Sequence, residues 1–400
     1  MKSFFKLKEI IITLMIFIFM WGLSFIPLNA GFLSPVANAL SDFDVYDIVY
    51  SKLLEEQSVD TNIVLVNLGN LTRAELAAQI RILNKFNPKV IGIDAFFEVE
   101  KDAKIDSALG SALAERGNVV LVSKLTAYNE DKNNYDSIGY SIKKLSRFTK
   151  DGFANLPDDD KGGFRTIRDF RPSESVKDSV VLAFSCKIAG IYASKALEKL
   201  LQRGNKIEKI NFRGNYNKYY FIDALQSLDP EADFSFLKDK IVLIGYMGPD
   251  FNTKTLEDVF FTPINDRYAG KSFPDMYGIV IHANIISMIL NGRFINSMPD
   301  WLSILLAVII GFLNIKMLLF IKTRFRLWAN GLTKLVIFFY SIFNLFISVE
   351  ILHYLNYRIN LTLALVAVVL STTAIEFYEN WISKIPKKLI RMNNHETSKT

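Results

Sequence analysis

The sequence predicts an α/β domain, a largely parallel sheet flanked by helices, together with four transmembrane α-helices. Three observations predict it. Long apolar runs stand near both ends of the chain, and Lys and Arg cluster beside those runs. Between them, short β-branched runs alternate with stretches of helical periodicity.

The 400 residues are 50% hydrophobic and 22% charged, so the apolar excess is concentrated in the runs. Of the 47 Lys and Arg, 14 lie outside residues 40–300, and of the 41 Asp and Glu only 5 do. The intervening segment is therefore slightly acidic, and the formal charge of +6 belongs to the membrane flanks. That distribution argues against a nucleic-acid partner. A single cysteine, Cys186, excludes an internal disulfide framework and a Cys-based zinc site.

The first run, residues 10–27, follows Lys2, Lys6 and Lys8 of a nine-residue leader. It is long enough to span a bilayer. Two readings of it stand: an uncleaved anchor, or a signal peptide cut at Ala37-Asn38-Ala39. The run is long for a signal peptide, and the Ala-x-Ala pattern lies well beyond its end, which favours the anchor. Further spans are expected at 301–321, 335–352 and 361–378. Lys322, Arg324, Arg326 and Lys334 fill the 322–334 loop, and Lys384, Lys387, Lys388 and Arg391 fill the tail, 379–400. The link from His353 to Asn360 carries only Arg358. The positive-inside rule then places both termini in the cytoplasm and residues 40–298 outside it, in the inner (plasma) membrane of a bacterial-type cell.

Within the outer segment, Asn62 to Val66 reads as a strand. Thr72-x-x-Glu75 is a capping box that opens a helix with Leu76, Ile80 and Leu83 on one face. Asn87-Pro88 stops it, and Val90 to Ile93 forms a second strand ending at Asp94. A helix carrying Ile105, Leu109 and Leu113 follows, with Gly117 as its expected C-cap, and then a strand from Val119 to Val122. Nearly continuous apolar strands joined by helices indicate a parallel sheet covered on both faces. Tyr128 to Pro172 is polar, contains Asp158-Asp159-Asp160, and is expected to hold no long regular element. Lys177 to Arg203 reads as a helix bent near Gly190. Lys209 to Phe212 and Ile241 to Gly245 read as strands, and Pro274 to Asn291 as a last helix stopped by Gly292.

The stretch Lys240-Ile-Val-Leu-Ile-Gly245, then Asp258, Thr262-Pro263 and Gly278-Ile-Val-Ile-His282-Ala-Asn284, resembles the CHASE2 domain, an extracytoplasmic sensory module of bacterial signalling proteins. Pro88 to Asp94 with Phe97, and Asp102 to Val122, resemble its first half. The resemblance covers roughly residues 42–295, and the flanking spans match too. Two positions depart from it: Asn67-Leu68-Gly69-Asn70 replaces an acidic residue after the first strand. The family's Asp-Gly-x-x-Arg element is matched at best by Gly163-Phe164-Arg165, or by Arg168 and Arg171. Relatives often continue into a cyclase or kinase and work as homodimers. Here about 20 residues follow Tyr378, too few for an output domain, so the resemblance implies signalling in trans through a partner protein.

Asp94, at a strand end, and Asp258, in a loop, are candidate ligand-binding carboxylates; the plainer reading has them capping helices or orienting loops. His282 shares a stripe with Ile286 and Ile289, which favours a buried, hydrogen-bonded imidazole over a ligand or pH-sensing role. Thr262, Pro263, Gly278 and Asn284 form the structural part of the motif, with Asn284 expected to hold the Thr262-Pro263 loop. Asp158 to Asp160 lacks the spacing of a calcium loop and reads as a solvated acidic turn. No G-x-S-x-G, P-loop, H-E-x-x-H or G-x-G-x-x-G is present, so no catalytic residue, metal or cofactor is assigned. Three functions are expected in order: a sensor of a small molecule or peptide, an envelope scaffold, and an enzyme using Asp94 and Asp258.

Overall fold

A computed structural model describes residues 6–24, 45–53, 56–129, 134–156, 166–177, 179–250, 253, 255–265 and 273–382. The Ala37-Asn38-Ala39 pattern, Asp158 to Asp160, Gly163 to Arg165 and the tail lysines fall outside these residues. The chain divides into two compact units, Asp47–Ile295 and the pair of segments Met1–Tyr46 and Asn296–Thr400.

In the first segment of the latter unit, α1 is Leu7–Ser24. The Asp47–Ile295 unit is built on a parallel sheet. Its strands are β1 (Asp60–Asn67), β2 (Val90–Asp94), β3 (Val119–Asn129), β5 (Lys150–Phe153), β10 (Tyr219–Ile222) and β11 (Ile241–Gly245), in the order β10-β1-β11-β2-β3-β5. The chain lays down β1, β2 and β3 first, and β11 later enters between β1 and β2. The outer half of β3 leaves this sheet and pairs antiparallel with β4 (Asn134–Gly139), which continues to the hairpin of β7 (Ser173–Val176) and β8 (Ser179–Leu182).

One face is covered by α2 (Arg73–Asn84) and α3 (Ala103–Ala114). The capping box at Thr72 and Glu75 forms as expected, each residue's side chain accepting from the other's backbone N–H. Leu76, Ile80, Leu83, Leu109 and Leu113 pack on Val64, Val66, Ile91, Ile93 and Ile244. Ile105 is 36% exposed rather than part of that face, and α3 closes at Glu115, with Gly117 two residues beyond in the left-handed region.

The other face is covered by α4 (Phe184–Tyr192) and α6 (Gly278–Asn291); α5 (Ser194–Leu201) packs against both. Here the single helix expected over 177–203 is corrected. Ser179–Leu182 is a strand, and the helix breaks at Ala193 into α4 and α5. Leu197 of α5 packs where a side chain on Gly190 would stand, 2.6 Å from its Cβ position, so the glycine lets α5 fold back on α4. The strand expected at Lys209 to Phe212 shrinks to β9 (Glu208–Lys209), which pairs with β6 (Asp169–Phe170) outside the main sheet. Among its described residues the polar stretch from Tyr128 to Pro172 holds only short elements, among them β4, β5 and β6, besides the outer end of β3. The last helix starts at Gly278, after β13 (Met276–Tyr277), which pairs with β12 (Val259–Phe260). Gly292 caps it with φ +62°, as its sequence position predicts.

In the other unit, three described helices are long and apolar enough to cross a membrane: α7 (Asp300–Arg324), α8 (Ala329–Leu355) and α9 (Thr362–Asn380). Ile12 and Ile16 of α1 pack with Ile315 and Leu318 of α7 and Ala367 and Ile375 of α9. Gly311 keeps that seam thin, because its Cβ would lie 3.4 Å from that of Ala367.

Candidate functional site

Parallel strands leave their carboxyl ends on one edge, and open α/β sheets gather ligands there. In this sheet Asn67, Gly245 and Asp94 stand in register across β1, β11 and β2 at that edge. Beyond it opens a cavity of about 520 Å3, lined from β2 by Asp94, from β3 by Ser123 and Lys124, and from α6 by Gly278 and His282. The β11–β12 connection contributes Glu257 and Asp258.

Asp94 and Asp258, far apart in sequence, therefore meet on one cavity. Asp258 holds φ at +54°, and its carbonyl accepts the N–H of Gly278 at 3.0 Å. Its carboxylate would lie 3.1 Å from a Cβ on Gly278, so any side chain at the start of α6 would press on that carboxylate.

His282, one turn later, is 4% exposed. Its Nδ1 lies 2.8 Å from Ser185 Oγ, and its ring meets Phe184 edge-on at 5.2 Å. Burial pushes its pKa down to about 4, so the imidazole is neutral at neutral pH. This is the buried, hydrogen-bonded histidine that its stripe predicts, and it also lines the cavity.

Thr262 and Pro263 are not among the cavity's lining residues. The Thr262 N–H and Oγ1–H both donate to the Asp275 carboxylate, at 2.8 and 2.5 Å, and Asn265 adds a third donor. Burial, opposed by these bonds, raises the Asp275 pKa to about 6. Because Asp275 precedes β13 and β13 pairs with β12, the Thr-Pro loop braces the strand pair that carries Asp258 to α6. Asn284 does not hold that loop, which corrects the expectation. Its Oδ1 accepts from the N–H groups of Arg213 and Gly214, and its Nδ2 donates to the carbonyls of Gly214 and Val280. Its partner loop, Arg213-Gly214, lies 71 and 70 residues upstream, and no local pattern announces it.

The Asn67 position gains a physical account. Fully buried, its Nδ2 donates to Asp223 Oδ1 and to the Gly248 carbonyl, while its Oδ1 accepts from Gly69 and Met247. A carboxylate could not donate either of the first two bonds. Arg168 is engaged by Asp47 through two hydrogen bonds, and Arg171 by Glu174.

Sequence reasoning missed Glu98, Ser123, Lys124, Asn155 and Glu257 of the lining. Asn155 follows β5 and clamps Leu125 by both its N–H and its carbonyl, fixing the loop to β3. Among the described residues no three His, Cys, Asp or Glu come together as a metal site. Burial raises the Cys186 thiol far above its ordinary range, which leaves it unreactive.

No curated protein and no solved structure matches the chain. The model of the CHASE2 domain matches residues 40–316, more than half of it. The chain therefore belongs to the CHASE2 domain family, a family of sensory domains.

Proposed function

We propose that the chain is a membrane-anchored receptor of the bacterial inner membrane. The Asp47–Ile295 unit stands outside the cytoplasm and binds a small molecule or peptide. Its signal is handed to a partner protein in trans. The observation that carries the reading is the cavity at the sheet edge, walled by the first turns of α6. The chain from α6 reaches α7 after only the segment 292–299. A ligand that prefers one position of α6 therefore biases the segment leading into the membrane.

The proposed topology has four spans, α1 and α7 to α9, with both ends inside. Lys8 at the start of α1 and Lys322 at the end of α7 both bind Glu379 at the end of α9. These ends belong on one side if the helices alternate in direction. Asn296–Ser297, before α7, pairs with Tyr357–Arg358, between α8 and α9, as two segments on the opposite side would.

Alkaline phosphatase fused at the exposed turn by Gly204 should be active in cells, and the same reporter fused at Leu327 should be inactive. Phosphatase activity at Leu327 alone would sink the reading.

A scaffold role draws on a different feature. The edge strand β10 and the turn after it expose Tyr220, Phe221 and Leu225, the last 77% accessible, a surface suited to an envelope partner or a second copy. Co-purification of a stoichiometric partner that persists regardless of small-molecule ligands would favour this second role.

A further inference from the structure

We infer that the ligand of this cavity is a small organic cation carrying a protonated amine, an inference that rests on the receptor reading above. Four carboxylates, those of Asp94, Glu98, Glu257 and Asp258, line the cavity against one ammonium, that of Lys124. They come from separate places in the chain, the end of β2, the loop after it and the β11–β12 connection, so folding assembles the negative field. Phe96, Tyr246 and Phe260 are also on the wall, and aromatic faces attract cations.

The second, independent sign is Ser123. It lines the cavity at 2% exposure, and its Oγ has no hydrogen-bond partner among the described residues. A buried hydroxyl left in that state is costly unless something arrives to satisfy it. His282 supplies a second polar group: Ser185 occupies Nδ1, which leaves Nε2 as the ring's remaining polar atom. Ser123 and His282 can therefore hydrogen-bond the ligand while the carboxylates hold its charge. A dehydrated metal ion is a poorer fit, because no three acidic or imidazole groups converge among the described residues. A volume of about 520 Å3 suits a molecule of metabolite size.

The test uses the full chain purified in detergent. Thermal unfolding and calorimetry are run with ethanolamine, putrescine and tyramine. Ethylene glycol, 1,4-butanediol and 4-ethylphenol serve as neutral matches, and glycolate and succinate as anions. At least one amine should raise the Tm, and its affinity should fall about tenfold or more in the Glu257→Gln, Asp258→Asn double variant. Ser123→Ala should weaken the same amine without lowering the Tm of the ligand-free protein, since Oγ has no bond to lose and its unpaired burial is a cost that alanine removes. If a neutral or anionic probe binds, sensitive to Ser123→Ala, and no amine does, the cation inference is overturned and the receptor reading stands. If an amine binds but neither variant weakens it, the inference is overturned as well. If no probe of any charge binds, both fall.

Discussion

Ser185 Oγ and His282 Nδ1 lie 2.8 Å apart, a bond that ties α4 to α6 over one face of the sheet. The imidazole it holds resists protonation, with its pKa near 4 against 6.5 unfolded. Its contribution to stability is complete above about pH 6.5 and is lost as pH falls toward 4. Asp275 has the opposite sign. Its pKa rises from 3.8 to about 6 on folding, so its contribution is complete below 3.8 and is lost as pH climbs through 6. Over roughly pH 4 to 6 the two slopes oppose each other, each worth about 3 kcal/mol at most. His282→Gln should tilt the stability profile toward acid, and Asp275→Asn should tilt it toward neutral pH. Denaturant melts across that range check this; variants that run parallel to the parent would refute it.

Gly152 of β5 sits against the backbone of α4. A Cβ there would stand 2.6 Å from Phe184 Cα and 2.8 Å from Phe184 N. Backbone cannot rotate away as a side chain can, so Gly152→Ala should cost about 3 kcal/mol. Gly117 has open space around it and a φ of +62°, so Gly117→Ala meets only backbone strain of about 1 kcal/mol. Equal shifts in the denaturant midpoint would contradict this ordering.

Asp106 is fully buried and bonded to Arg73 Nη1 at 2.6 Å and to the Lys101 N–H at 2.8 Å. Arg73→Met strands the carboxylate and should cost about 3 kcal/mol or more. Adding Asp106→Leu should restore a large part of that loss, because the pair is expensive to bury and cheap to remove together. A double variant less stable than Arg73→Met would show that the charges themselves hold α2 to α3.

Lys8 Nζ lies 2.9 Å from Glu379 Oε1, and Lys322 shares the same carboxylate. Cysteines placed by Lys8→Cys and Glu379→Cys should join through a short bismaleimide in isolated membranes. The pair Lys8→Cys with Tyr357→Cys should not. Crosslinking of the second pair alone would reverse the direction assigned to α9.

The elements that were legible are those whose cause is local. The capping box starts α2 because two side chains three residues apart satisfy each other's backbone, and Gly292 ends α6 because it alone relaxes at positive φ there. β1, β2 and β11 announce themselves as apolar runs. β5 does not, since Lys-Asp-Gly-Phe carries no pattern and is recruited by the fit of Gly152 under α4. Ser179–Leu182 looks helical beside the apolar run that follows it, and becomes a strand only by pairing with β7. In the site, Asp94, Asp258 and His282 could be singled out by position in the chain. Ser123, by contrast, looks like any serine at the end of a strand until the missing partner of its Oγ is seen. Asn284 was visible as a residue, but its partner was set by a loop distant in sequence.

The late entry of β11 between β1 and β2 governs how the molecule can be made. Both neighbours emerge early from the ribosome, yet the gap between them stays empty until Ile241 to Gly245 has been synthesised. Two bare strand margins must wait side by side through most of the domain's birth, a slow-folding, aggregation-exposed interval. Such a chain should depend on holding chaperones more heavily than a domain that closes its sheet in order.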